Sequence, residues 1–135
     1  MGAFDSMDIA ATGANMSQTW LNVLANNIAN INTVRPPDEE PFRAKLVVAQ
    51  EVIGGHGTGG SGVEVTQLLD DQTDPLKVYD PGHPFADEEG YVLRPAVDLA
   101  VQMSDLIIAQ RSYQLNIQVI QTSEETYQAA LRIGQ

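Results

Sequence analysis

Residues 55–60 read GHGTGG, a formal match to G-x-G-x-x-G. Such a loop can cradle a phosphate when a strand precedes it and a helix N-terminus follows. A strand-like VEV (63–65) follows instead, so a flexible hairpin loop is expected and no nucleotide site. His56 and His83, the two histidines, each sit in a Gly/Pro turn without an HExxH or similar pattern, so no metal site is expected. Three acidic groups occur: Asp38-Glu39-Glu40, Asp70-Asp71 with Asp74, and Asp87-Glu88-Glu89. All lie in loop-like sequence and none has the EF-hand spacing. Paired carboxylates can hydrolyse a bond only when they face each other across it, and adjacency in a loop does not provide that. Ser61 in GGSGV misses the nucleophile-elbow pattern by one position. The residues thus point to no enzyme, no cofactor and no metal, and the acidic groups are expected to be solvated turns.

The bulk numbers narrow the classes further. The chain has 135 residues, enough for one domain with a real core. Seven Lys+Arg stand against eighteen Asp+Glu, a net charge of −11. That excludes the basic footprint of a nucleic-acid binder and a polybasic membrane anchor. There are no cysteines, hence no disulfides and no thiolate chemistry. No apolar run approaches a membrane span, so no membrane insertion is expected. MGAFDSMD at the N-terminus lacks a positive n-region and an apolar h-region, so no cleavable signal peptide is expected.

Three zones would have to position any site. Residues 6–32 contain no Pro and one Gly, with Ser6 as an N-cap candidate and Asp8 in the first turn. Ile9, Gly13, Met16, Trp20, Val23, Asn27 and Asn30 follow a 4-3 spacing, and Ala10, Ala14, Ser17, Leu21, Leu24, Ile28 and Ile31 form an adjacent row. The helix has a broad apolar face and must end before Pro36-Pro37. Residues 96–133 contain neither Gly nor Pro, with Asp98 as N-cap and Gly134 as stop. Leu99, Met103, Leu106, Gln110, Tyr113, Ile117, Ile120, Glu124, Tyr127 and Leu131 run at 4-3 spacing, and Val97, Val101, Ser104, Ile108, Arg111 and Leu115 form a row elsewhere on the same helix. Between the helices, residues 42–53 and 63–69 read as strands, with shorter ones at 76–79 and 91–93. GGHGTGGSG (54–62) is a flexible loop on composition, and DPGHPFADEEG (80–90) is turn chemistry.

The fold class is therefore α+β. Long N- and C-terminal helices (1–33 and 94–135) pack as a helical hairpin or coiled coil, with a small β-rich insert (34–93) between them. Two seams of this length leave apolar face uncovered, which points to assembly through the helices rather than to an internal core alone. Two rivals stand beside assembly: a monomeric binding module whose middle segment captures a ligand, and a hydrolase whose pocket would gather Asp70, Asp74 or Glu88.

Two segments also carry a family resemblance. ANNIANINT (25–33) resembles the Ala-Asn-Asn-x-Ala-Asn-x-x-Thr run that ends the N-terminal helix of flagellar rod and hook proteins. MSDLIIAQRSYQLNIQVIQTSEE (103–125) is similar to that family's C-terminal segment, with Ala109, Arg111, Tyr113 and Asn116 on its Ala-x-Arg-x-Tyr-x-x-Asn core. The TVRPPDEEPFRAK insertion (33–45), DPGHPFADEEGYVLRPAVD (80–98) and the short length resemble proximal-rod members. Pro36-Pro37, where members often have a Gly-rich turn, and the 54–62 loop depart from the pattern. The resemblance implies a structural subunit of the basal-body rod, exported without signal cleavage through the flagellar export apparatus into the periplasmic rod. It implies contacts with other rod proteins and further copies of the chain. The contact residues expected on the helices are Met16, Trp20, Leu21, Leu24, Asn26, Asn27, Ile28 and Asn30 on the first, and Met103, Leu106, Gln110, Arg111, Tyr113, Asn116, Ile117, Ile120 and Tyr127 on the second.

Five asparagines (Asn22, Asn26, Asn27, Asn30, Asn32) lie in residues 21–33, although Asn is a middling-to-poor helix former. Asn26, Asn27 and Asn30 are expected to bond neighbouring helices or backbone ends and set register, while Asn30 and Asn32 could simply end the helix. On that view Asn27→Leu stabilises the monomer and impairs assembly.

Overall fold

The computed structural model describes residues 3–53 and 60–134. The chain forms a helix α1 (Ala3–Ala29), strands β1 (Lys45–Ile53), β2 (Gly60–Asp70), β3 (Leu76–Tyr79) and β4 (Tyr91–Arg94), and a helix α2 (Leu99–Ile133). The α+β architecture expected from the sequence is present. α1 begins earlier than the expected residue 6, so Ser6 is no N-cap but lies inside the helix. α1 also stops three residues short of 32. There the Asn30 amide turns back to the Asn26 carbonyl at 2.9 Å, and Thr33 donates its hydroxyl to Asn30 Oδ1 at 3.2 Å. That turn ends the helix ahead of the proline pair. At α2, Asp98 Oδ1 accepts from the amides of Ala100 (2.8 Å) and Val101 (3.2 Å), the N-cap the sequence indicated. α2 has 35 residues, about 53 Å at 1.5 Å per residue.

The helices pack antiparallel. Ser6 meets Ser123, Ser17 donates to Ser112 at 3.0 Å, and Asn27 donates to Gln102 at 2.9 Å. Phe4 stacks edge-on against Tyr127 with centroids 4.9 Å apart. The buried residues of α1 are small: Ala10, Ala14 and Ser17, with Val23, Leu24 and Asn27 toward its end. On α2 only Ala109 is buried. The seam on α2 differs from the expected row. Gln102, Ala109, Ser112, Asn116 and Ser123 face α1, while Leu99, Met103, Gln110, Glu124 and Leu131 are exposed. Small side chains let the backbones approach, and close approach gains more dispersion contact than a looser seam of bulky residues.

Gly13 marks a close approach of the two helices. A Cβ there would lie 2.7 Å from Asn116 Oδ1 and 2.9 Å from its Nδ2, while Asn116 bonds the Ser112 carbonyl at 2.9 Å. Alanine has the better helix propensity by about 1 kcal/mol. Crowding works against it, because the displaced Asn116 loses its bond and the seam widens. Gly13→Ala is expected to lower stability by a net ~1 kcal/mol in urea denaturation. A stabilised variant would mean that the helices separate freely at this layer.

β1 and β2 form one antiparallel sheet and β3 and β4 another. β1 starts at Lys45 rather than residue 42, and β2 starts at Gly60, so the end of the expected loop is strand. The rest of that loop, with His56, lies outside the described residues. The β1–β2 register shifts between Val48 and Ala49 and again between Glu51 and Ile53, irregularities of the kind that bend and twist a strand pair. Arg35 bridges Leu93, so the segment after α1 lies beside β4 over the fully buried Val92. In the β3–β4 turn, Asp87 Oδ1 accepts from the amides of Glu89 (3.0 Å) and Tyr91 (2.7 Å), and Gly90 takes φ +84°, open to glycine at little cost.

Candidate assembly interface

The acidic groups serve their own loops. Arg35 pairs with Glu39 at 3.3 Å, Arg43 with Glu40 at 2.9 Å, Lys45 with Asp70 at 2.7 Å and Lys77 with Glu89 at 3.6 Å. Asp70 lies in a cleft of about 230 Å³ with Arg35, Glu40, Arg43 and Lys45 rather than with Asp74 or Glu88. The Thr73 hydroxyl (2.7 Å) and amide (2.9 Å) both donate to Asp71, and they hold its carboxyl below the ordinary value of 3.8. A carboxyl depressed in the folded chain adds stability that is full at neutral pH and is lost as pH falls from the ordinary carboxylate pKa through the lower folded one. His83 accepts the Phe85 amide at 3.1 Å, a turn contact. Among the described residues, no three His, Asp or Glu side chains are grouped to hold a metal ion. Among the described residues, no helix is long and apolar enough to cross a membrane.

The outer helix faces are unusual for solvent-exposed surface. Residues 9–34 carry no charged side chain. Asn15, Gln18, Asn22 and Asn26 form an exposed amide row on α1 at 3-4 spacing, and Gln110, Gln114, Gln118 and Gln121 form another on α2. Elsewhere on α2, Val101, Ile108 and Leu115 recur every seven residues at 52%, 55% and 62% exposure. A helix facing water ordinarily shows charge there. Aliphatic groups can instead bury against another helix, and amides can follow where each finds a hydrogen-bond partner there.

The expected contact residues fall into three groups. Leu24 and Asn27 are buried inside the chain. Met16, Trp20, Leu21, Ile28, Asn30, Leu106, Tyr113, Asn116, Ile117 and Ile120 are half-buried, while Asn26, Met103, Gln110, Arg111 and Tyr127 are exposed. Asn27 is spent within the chain. Its Nδ2 donates to the Lys45 carbonyl (3.0 Å) and to Gln102, and its Oδ1 accepts the Lys45 amide (2.9 Å). This one side chain ties α1 to both β1 and α2. The sequence reading passed over Gln102, Ser112 and Ser123. For Gln102 and Ser123 the signal is the heptad Gln102-Ala109-Asn116-Ser123, which mirrors Ser6-Gly13-Trp20-Asn27; Ser112 lies outside it.

Comparison with known proteins bears on the same two helices. The family model described as "Flagella basal body rod protein" matches residues 7–36, and that described as "Flagellar basal body rod FlgEFG protein C-terminal" matches residues 88–133. The flagellar basal-body rod protein FlgC of Yersinia enterocolitica is 40% identical over 135 residues, covering all of both chains. That of Salmonella typhimurium is 40% identical over 136 residues, again covering all of both. The FlgC of Bacillus subtilis is 32% identical over 149 residues, covering 99% of each. The two matched segments cover most of the two packed helices, and the relatives span the chain end to end: it belongs to the FlgC family of flagellar basal-body rod proteins.

Proposed function

We propose that the chain is a structural subunit of the flagellar basal-body rod, in its proximal part, held to other rod proteins and to further copies of itself by the outer faces of α1 and α2. The observation that carries this reading is the coincidence of the two rod-family matches with two packed helices that leave amide and aliphatic rows exposed. The chain would reach the periplasmic part of the rod through the flagellar export apparatus without cleavage and there help to transmit torque. Antiparallel helices in close contact along their length suit a subunit that carries load. Its work is mechanical rather than catalytic, in keeping with relatives named as rod proteins. The rival reading of a ligand-capturing module gains nothing from those relatives.

The test is a double variant, Ile108→Glu with Leu115→Glu, replacing the native chain in cells. Both side chains are exposed, so the purified variant is expected to melt within about 0.5 kcal/mol of the native chain. Basal bodies are expected to stop short of a complete rod, with swimming lost. A folded variant that supports normal rods would overturn the role of this face.

A further inference from the structure

A groove of about 290 Å³ opens between the two helices and the first sheet. Met16, Trp20 and Leu24 line it from α1, Leu46 and Val47 from β1, and Asp105 from α2. Asp105 is half-buried and has no hydrogen-bond or ion-pair partner among the described residues. The other charge at the groove, Lys45, is committed to Asp70 at 2.7 Å. A carboxylate in a mainly apolar groove is costly to leave without a cation. The groove therefore fits an apolar ridge that carries one positive charge.

α2 itself presents such a ridge on the side turned away from α1. Met103, Ile107, Arg111 and Leu115 follow one another every four residues, all exposed. A row at this spacing is the ridge that packs into grooves of neighbouring elements. Arg111 has no acidic partner among the described residues, and the other cation of α2, Arg132, lies in its last turn.

Resting on the rod-subunit reading above, we infer that this ridge of one copy seats in the groove of the next, with Arg111 of the first against Asp105 of the second. Ridge and groove are different patches of one surface. A contact between them is head-to-tail, so it propagates into a row of copies instead of closing into a two-fold dimer. Both halves of the charge pair lie on this chain, which makes a second copy the occupant. The pair also gives Arg111, a residue of the C-terminal motif, a defined role in setting the stagger between copies.

The chain has no cysteines, so introduced thiols are the only ones present. Asp105→Cys with Arg111→Cys places two thiols six residues apart on one helix, about 9 Å along its axis, too far for a disulfide within one copy. Basal bodies are purified from cells expressing this variant after mild oxidation and run on a non-reducing gel. The expected result is a ladder of dimers and higher species that neither single variant gives. If the variant is present in basal bodies only as monomer, or is linked only to a different protein, the copy-to-copy contact is overturned and the rod reading stands. If the unmodified chain is itself absent from basal bodies, the rod reading fails first. Where the double-cysteine variant does not assemble, charge exchange decides. Asp105→Arg and Arg111→Asp are each expected to cut swimming about tenfold, and together to restore most of it. No restoration by the pair overturns the contact.

Discussion

Replacing Asn27 with Leu is expected to destabilise the chain by about 3 kcal/mol, the reverse of what its helical row alone indicated. Leucine at this 1%-exposed position would gain roughly 2 kcal/mol of apolar transfer. Against that, the Lys45 amide, the Lys45 carbonyl and Gln102 Oε1 all lose a partner. Each buried group left unpaired costs about 1–3 kcal/mol, so the losses win. The damage is not local, because the same amide holds β1 to α1 and α1 to α2. Urea denaturation followed by circular dichroism checks this. A variant as stable as the native chain, or more so, would show that this amide is not what fastens the three elements.

The second large effect lies at Gly62, where β2 crosses α1. Its φ of +116° is a backbone region that side-chain-bearing residues rarely adopt. Any Cβ would also collide with Thr12 Oγ1, which accepts the Val63 amide at 3.1 Å and donates to the Ile9 carbonyl at 2.7 Å. Gly62→Val would force the strand off the helix and break that bond, at a cost of about 3 kcal/mol. Amide exchange at residues 63–69 is expected to accelerate, with exchange along the α1–α2 seam little changed. Unchanged protection in β2 would mean that the sheet does not depend on this crossing. Thr12→Val, which removes the hydroxyl but leaves Gly62 its space, should cost only about 1 kcal/mol by the same measurement.

Much of this protein is written locally. The Asp98 cap, the proline pair after α1 and the β-forming runs each act within a few residues, so the element types and about half of their ends follow from sequence. The two motifs that mark the family are likewise short segments of single helices. The length of the two apolar helical seams is also plain in the sequence, and it points to assembly through the helices.

The seam was not decided in this way. α2 carries several rows at helical spacing, and periodicity does not rank them. The row that meets α1 is the one whose small and polar residues fit Gly13, Ser17 and Asn27 on the opposite helix. Which row is left exposed, and so available to a neighbour, follows from that choice. Asn27 shows the same limit in one residue. Its amide is satisfied by Lys45, eighteen positions away, and by Gln102, seventy-five away. Sequence spacing encodes which face a residue shares along its own helix, but its partners across space exist only once the chain has folded back on itself.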